Sequence, residues 1–169
     1  FIGPPLEVTF GHYFEQSDEV NHAIKTFRDY YGEKGVHQVS LYTGIAEALQ
    51  ELNDLNYSLF VTTSKHQPMA NLMLTELGII SHFKKVYGST PEYFHKADVI
   101  KACLTEQGIQ AHEAVIIGDT KFDMIGGQKT GVRRLGVTWG FGSLESLQEH
   151  GAESICHHPY DIKEALSSL

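Results

Sequence analysis

The 169-residue chain is short of several things, and each shortage closes a line of interpretation. It has two cysteines, Cys103 and Cys156, without metal spacing, so a disulfide framework and a zinc site are disfavoured and reduced thiols in a cytoplasmic setting are expected. No apolar run is long enough to cross a membrane, and no secretory signal is visible. Cations are scarce: 13 Lys and Arg against 21 Asp and Glu give a formal charge of -8, which argues against a nucleic-acid polymer or an anionic lipid surface as partner. A small anionic ligand stays open, but only if cations are placed locally. The ten histidines are scattered, and His157-His158 ahead of Pro159 reads as a polar loop. Nothing in the composition fixes an oligomeric state.

With 41% hydrophobic and 20% charged residues, the chain is long enough and apolar enough to bury a core. Leu6, Phe10 and Tyr13 or Phe14 fit a short helix after Pro4-Pro5. Val20, Ala23, Ile24, Phe27 and Tyr31 make an i, i+3, i+4, i+7 stripe, so the region to about Val39 is expected to be helical. From Thr43 the pattern changes. Thr43 is placed to cap a helix carrying Ile45, Ala48, Leu49 and Leu52, and "YSLFVTT" reads as a buried strand ending near Thr63. Pro68 suits the first turn of a helix with Met69, Leu72, Met73 and Leu77 inward and Gly78 as its stop. The strand "KVYG", the helix "KADVIKACLTEQ", the strand "AVIIG", a helix from about Lys121, the strand "RRLGVTW", a helix near Leu144 to His150, a short strand near Ile155 and a last helix follow. Strands alternating with helices imply an α/β fold with a parallel sheet and right-handed crossovers.

In such a sheet, ligands bind at the carboxyl ends of the strands. "FVTTSK" brings Thr63 and then Ser64 there, with a backbone N-H near a helix start, a combination suited to an anion. "AVIIGD" ends in Asp119, with Gly118 letting the chain turn beside it. Asp123 follows one helical turn later, so both carboxylates can address one point. Lys96 opens a helix after the loop "STPEYFH". Each has a plainer reading as a cap or a solvated charge; their order along the chain is what joins them. Trp139 to Gly142 reads as a glycine-rich turn with a packed aromatic, or as part of the site's mouth.

A strand ending in Thr, then a Lys, then a strand ending "GDxxxD", resembles motifs two, three and four of the haloacid dehalogenase superfamily. "FIGPPL", "SLYTGIAEALQELN", "FVTTSKHQ", "HKADVI", "IIGDTKFDMIGGQKTGV" and "GVTWGFGS" look like its phosphoglycolate phosphatase and bacterial 5'-nucleotidase branch, which also contains pyrophosphatases. The resemblance implies a Rossmann-like core from residue 40 to 169 and, in residues 1 to 39, the latter part of a helical cap. It implies that Thr63 and the backbone at Ser64 hold the transferring phosphoryl group. Lys96 would offset charge, Asp119 would ligate Mg2+, and Asp123 would support the metal. A small phosphorylated metabolite is the expected substrate. Phosphoryl transfer asks mainly for positioning and charge stabilisation, which such groups supply.

The family's first motif, an Asp-x-Asp whose first aspartate becomes phosphorylated, occurs nowhere in the 169 residues. A few tens of further residues are therefore expected at the N-terminus. The family places the strand that bears this motif between those ending at Thr63 and Asp119. A gap is expected there, and residues 1 to 169 alone are expected to fold poorly and to lack hydrolase activity. The alternatives are a 5'-nucleotidase or pyrophosphatase of the same family and, in another class, a non-catalytic protein that keeps the fold for binding or regulation. Dehalogenation fits less well, because an acidic pair points to metal-dependent phosphate chemistry. Response-regulator receivers share the residue types in a different chain order.

Overall fold

The computed structural model describes residues 5–90, 92–93 and 95–169. Most of "FIGPPL", and Pro91 and Phe94 of "STPEYFH", therefore lie outside the described residues. The chain opens with α1 (Leu6–Gly11) and α2 (Ser17–Glu33) and a 3-10 turn at Gly35–Gln38. The expected stripe on α2 is what joins them: Ile24 is buried, the Phe27 and Tyr31 rings stack at 6.0 Å, and Phe10 meets Phe27 edge-on at 6.2 Å.

Beyond it the order is α3 (Ile45–Asp54), β1 (Phe60–His66), α4 (Gln67–Glu76), β2 (Lys85–Ser89), α5 (Lys96–Gln107), β3 (Val115–Gly118), α6 (Lys121–Thr130), β4 (Arg133–Val137), α7 (Leu144–Glu149), β5 (Ser154–Cys156) and α8 (Ile162–Ser167). All pairings are parallel, as βαβ succession requires. Among the described residues the strands form two sheets, β1-β2 and β3-β4-β5. The division falls between β1 and β3, where the resemblance puts the family's first strand. On β3, Val115 and Ile117 point the same way and are 36% and 37% exposed, so this strand carries an uncovered apolar row.

Each sheet has its own core. Leu135, Val137 and Cys156 pack with Ala48 and Leu52 of α3 and Ile162 of α8. On the other side, Val86 packs with Ala70 and Leu74 of α4, while Tyr87 meets Val99 and Cys103 of α5.

Three local expectations are corrected. Thr43 does not cap α3: the N-cap is Gly44, at φ 90°, a left-handed backbone that favours glycine, with the Tyr160 ring 2.9 Å from where a Cβ would stand. β1 is half-buried throughout and runs past Thr63 to His66, with a register irregularity between Thr62 and His66. On α4 the expected Leu77 packs on the core and Met69 and Met73 are half-buried, but Leu72 is exposed and the fully buried places go to Ala70 and Leu74, which face β1 and β2.

Candidate active site

The turn from β3 into α6 is built by Asp123. Its Oδ2 accepts the Thr120 backbone N-H at 3.0 Å and the Thr120 hydroxyl at 2.8 Å, closing a capping box at the start of α6. Thr120 is therefore the N-cap, and Asp119 is left outside the helix with its carboxylate uncommitted to capping. Asp123 is 7% exposed, and its Oδ1 pairs with Lys96 Nζ at 2.7 Å. Gly118 makes room for this packing: a Cβ there would fall 2.2 Å from Asp123 Cβ.

Asp119 is held from across the strand end by the loop after β4. The Phe141 backbone N-H donates to Asp119 Oδ2 at 2.8 Å, and the Gly142 N-H donates to the Asp119 carbonyl at 2.9 Å. Gly140 is the close approach that permits this, since a Cβ would stand 2.1 Å from Asp119 Oδ2. Trp139 packs against the core, as a packed aromatic in a glycine-rich turn should, while Phe141 is 69% exposed. The holding role of the Phe141 amide was not legible in the sequence; the Gly-Phe-Gly spacing was its one trace.

Lys96, the first residue of α5, joins the two sheets. Besides Asp123 it donates to the Thr62 carbonyl on β1 at 2.5 Å. Its side chain is 16% exposed and that of Asp123 10%, so this ion pair is largely desolvated. Gly126 lets α5 settle on the backbone of α6: a Cβ there would meet Lys96 Cγ at 2.9 Å and Ile100 Cδ1 at 3.1 Å.

Midway along β1, the Thr63 hydroxyl accepts the Lys65 backbone N-H at 3.1 Å, and among the described residues its O-H donates to no other group. Ser64 lies inside β1, and α4 begins only at Gln67 with His66 as N-cap. The expected helix start beside Ser64 is thus displaced by three residues, because the strand continues. Lys96 and Asp123 are in contact, and Lys96 reaches the backbone next to Thr63; Asp119 sits at the neighbouring strand end on its own set of amides.

The acidic pair suits a hard divalent cation in part. Magnesium takes few protein carboxylates and keeps several waters. Among the described residues the Asp119 carboxylate accepts one hydrogen bond, on Oδ2, and it is the candidate direct ligand; Asp123, with both oxygens engaged, fits a supporting place. Among the described residues no group of three or more His, Cys, Asp or Glu gathers to hold a metal ion.

Residues 1–137 match the family model described as haloacid dehalogenase-like hydrolase. A 5'-nucleotidase of Pseudomonas aeruginosa is 31% identical over 99% of this chain and 77% of its own length. A pyrophosphatase of Bacillus velezensis is 31% identical over 96% of this chain and 75% of its own, and a phosphoglycolate phosphatase of Vibrio parahaemolyticus is 24% identical over 100% and 76%. Among solved structures, a haloacid dehalogenase-like hydrolase from Streptococcus pneumoniae superposes with a TM-score of 0.90 at 38% identity, covering 98% of this chain and 78% of that one. A predicted phosphatase from Clostridium acetobutylicum superposes at 0.93 with 32% identity, covering 99% and 79%. The chain belongs to the haloacid dehalogenase-like hydrolases. Within that family it is an enzyme of the phosphatase class.

Proposed function

We propose that the protein is a magnesium-dependent phosphomonoester hydrolase, phosphoglycolate phosphatase-like, that works through a phosphoaspartyl intermediate in a cytoplasmic setting. The nucleophilic aspartate is expected from a segment outside this numbering, and residues 1–39 are read as the latter part of a cap over a core of residues 40–169. The observation that carries the reading is Lys96, bonded at once to the Thr62 carbonyl and to Asp123, because it joins the backbone beside Thr63 on β1 to the acidic first turn of α6.

The roles follow from the contacts. Thr63 donates its O-H to a non-bridging phosphoryl oxygen, with backbone at Ser64 assisting. Lys96 offsets charge that gathers on the phosphoryl oxygens, in a setting dry enough for that charge to count. Asp119 ligates Mg2+, and Asp123 keeps that arrangement in register while holding Lys96. A bound magnesium ion supplies charge neutralisation for a phosphate oxygen. Small phosphorylated metabolites are the substrate class.

The full-length protein, assayed against a panel of phosphomonoesters with and without magnesium, tests this directly. Hydrolysis that needs magnesium and disappears on chelation is expected. Tight binding of phosphoesters without turnover would instead place the protein among non-catalytic binders that keep the fold, and preference for a nucleotide or for pyrophosphate would select the corresponding branch.

A further inference from the structure

From Phe60 to Thr62 strand β1 pairs with β2 residue for residue, and then it does not. Thr62 stands opposite Tyr87 and His66 opposite Ser89, so Thr63, Ser64 and Lys65 have Gly88 alone across from them. The stretch is a bulge, which bends the strand and re-aims the side chains on it. It carries the hydroxyl assigned to the phosphoryl group. Inside it the Thr63 hydroxyl accepts the Lys65 backbone N-H, and at its near end Lys96 takes the Thr62 carbonyl.

The far end is closed by one side chain. Gln67, the first residue of α4, reaches across to β2: its Oε1 accepts the Gly88 backbone N-H and its Nε2 donates to the Val86 carbonyl at 2.7 Å. On the flank of the bulge its amide does what a strand backbone does in a regular ladder, offering one acceptor and one donor to a partner whose residues there, Val86 to Ser89, are buried. Gly88 is the matching requirement. A Cβ on it would fall 2.5 Å from Gln67 Cα, 2.7 Å from the Gln67 nitrogen and 2.8 Å from the Lys65 carbonyl oxygen. These are main-chain atoms, which cannot swing aside, so the bulge closes only over a glycine.

We propose that Gln67 is a positioning residue for phosphoryl binding: its amide, clamped on β2 over Gly88, fixes the bulge and so aims the Thr63 hydroxyl at the phosphoryl group. This rests on the phosphatase reading above and deepens it. Gln67 acts on the site only through Thr63, so the effect is independent of the leaving group. Every phosphomonoester, and inorganic phosphate itself, feels the clamp alike. Magnesium does not, because Asp119 is held by the amides of Phe141 and Gly142 instead.

In full-length protein, Gln67→Met keeps the length of the side chain and removes both bonds. It is expected to raise the KM of phosphomonoesters and the inhibition constant of inorganic phosphate by one common factor of about 10, the low end for a lost hydrogen bond to a charged group, with the magnesium concentration for half-maximal activity unmoved. Ile79→Val, in the core beneath the same strands, is the control for stability: it is expected to lower the melting temperature without moving either constant. A Gln67→Met protein that behaves like Ile79→Val would show that the clamp serves the fold alone and would overturn the proposal, as would a rise confined to one ester or an equal loss of magnesium affinity. Added to Thr63→Val, Gln67→Met is expected to change phosphate binding by less than about 2-fold, because the group it aims is gone; a repeat of the full factor would place its action elsewhere and sink the idea. If Gln67→Met does not fold, Gln67→Glu, which keeps the acceptor for Gly88 and loses the donor to Val86, is read against the same outcomes. A wild type that hydrolyses no ester removes the phosphatase assignment, and calorimetric titration with inorganic phosphate and magnesium then carries the test. Weaker phosphate binding in Gln67→Met with unchanged magnesium affinity upholds the clamp; equal binding, or none in the wild type, overturns it.

Discussion

The end of β3 and the end of β1 do comparable work by different means. At β3, Asp119 and Asp123 are fixed by a capping box, two backbone amides and an ion pair, with Gly118 and Gly140 leaving no spare volume around them. At β1, the strand is half-buried along its length, its register slips before His66, and its Lys65 ammonium rests on an aromatic ring from another region. The difference teaches where each kind of task is placed. The acidic groups at β3 sit on rigid local geometry, and the basic group at β1 sits where two regions meet.

The comparison can be broken at its rigid side first. Asp119→Asn should abolish magnesium-dependent turnover in the full-length protein while leaving the melting temperature nearly unchanged; ordinary activity in this variant would remove the metal assignment. Lys96→Ala should lower kcat by about 100-fold or more, as removing a charge-stabilising donor does. It should also cost about 3–5 kcal/mol of stability by leaving Asp123 buried and unpaired. Lys121→Ala, whose ammonium sits over the Phe122 ring at 5.5 Å, should change both little; similar behaviour of the two lysines would place Lys96 wrongly. Gly140→Ala puts a methyl into the Asp119 carboxylate, and a shift of about 1 Å there should cost about 100-fold in kcat. Structure determination of the variant would show the displaced side chain. Asp123→Asn is expected to weaken magnesium affinity about 10- to 100-fold, the usual effect of losing a supporting contact, as read by a magnesium titration of activity.

A smaller effect lies away from both ends. Burial pushes the Cys103 thiol up to about 11. An acid whose folded value is raised contributes stability that is complete below its unfolded value and is lost as pH rises through the folded one. Denaturant midpoints should therefore hold steady to about pH 8.5 and decline from there towards pH 11, and Cys103→Ser should flatten that decline. The native protein should resist thiol reagents at neutral pH.

Much of this was legible in the sequence because it is local. The alternation of strands and helices, the spacing of Asp119 and Asp123, Lys96 at a helix start and Gly108 and Gly131 at helix ends are all properties of a few adjacent residues. The pattern "TKFD" even held the capping box, a Thr followed three residues later by an Asp. What stayed hidden depends on distant chain. The Phe141 amide reaches Asp119 over 22 positions and Lys96 reaches Thr62 over 34. The inward face of α4 is set by the strands it lies on, and the α3 start by a ring from Tyr160. Lys65 was read only as part of "FVTTSK", since nothing in one strand shows that α2 supplies its platform.

Gly126 sits in the middle of α6, where it sacrifices about 1 kcal/mol of helix propensity relative to alanine. Its consequence is mechanical. With no side chain there, α6 rests backbone against the stems of Lys96 and Ile100 on α5, and such a contact has no softer packing to relax into. The distance from Lys96 to Asp123 then behaves as a fixed gauge, set where α5 meets α6 and not by the surface around it, so substitutions elsewhere leave it at the same calibration.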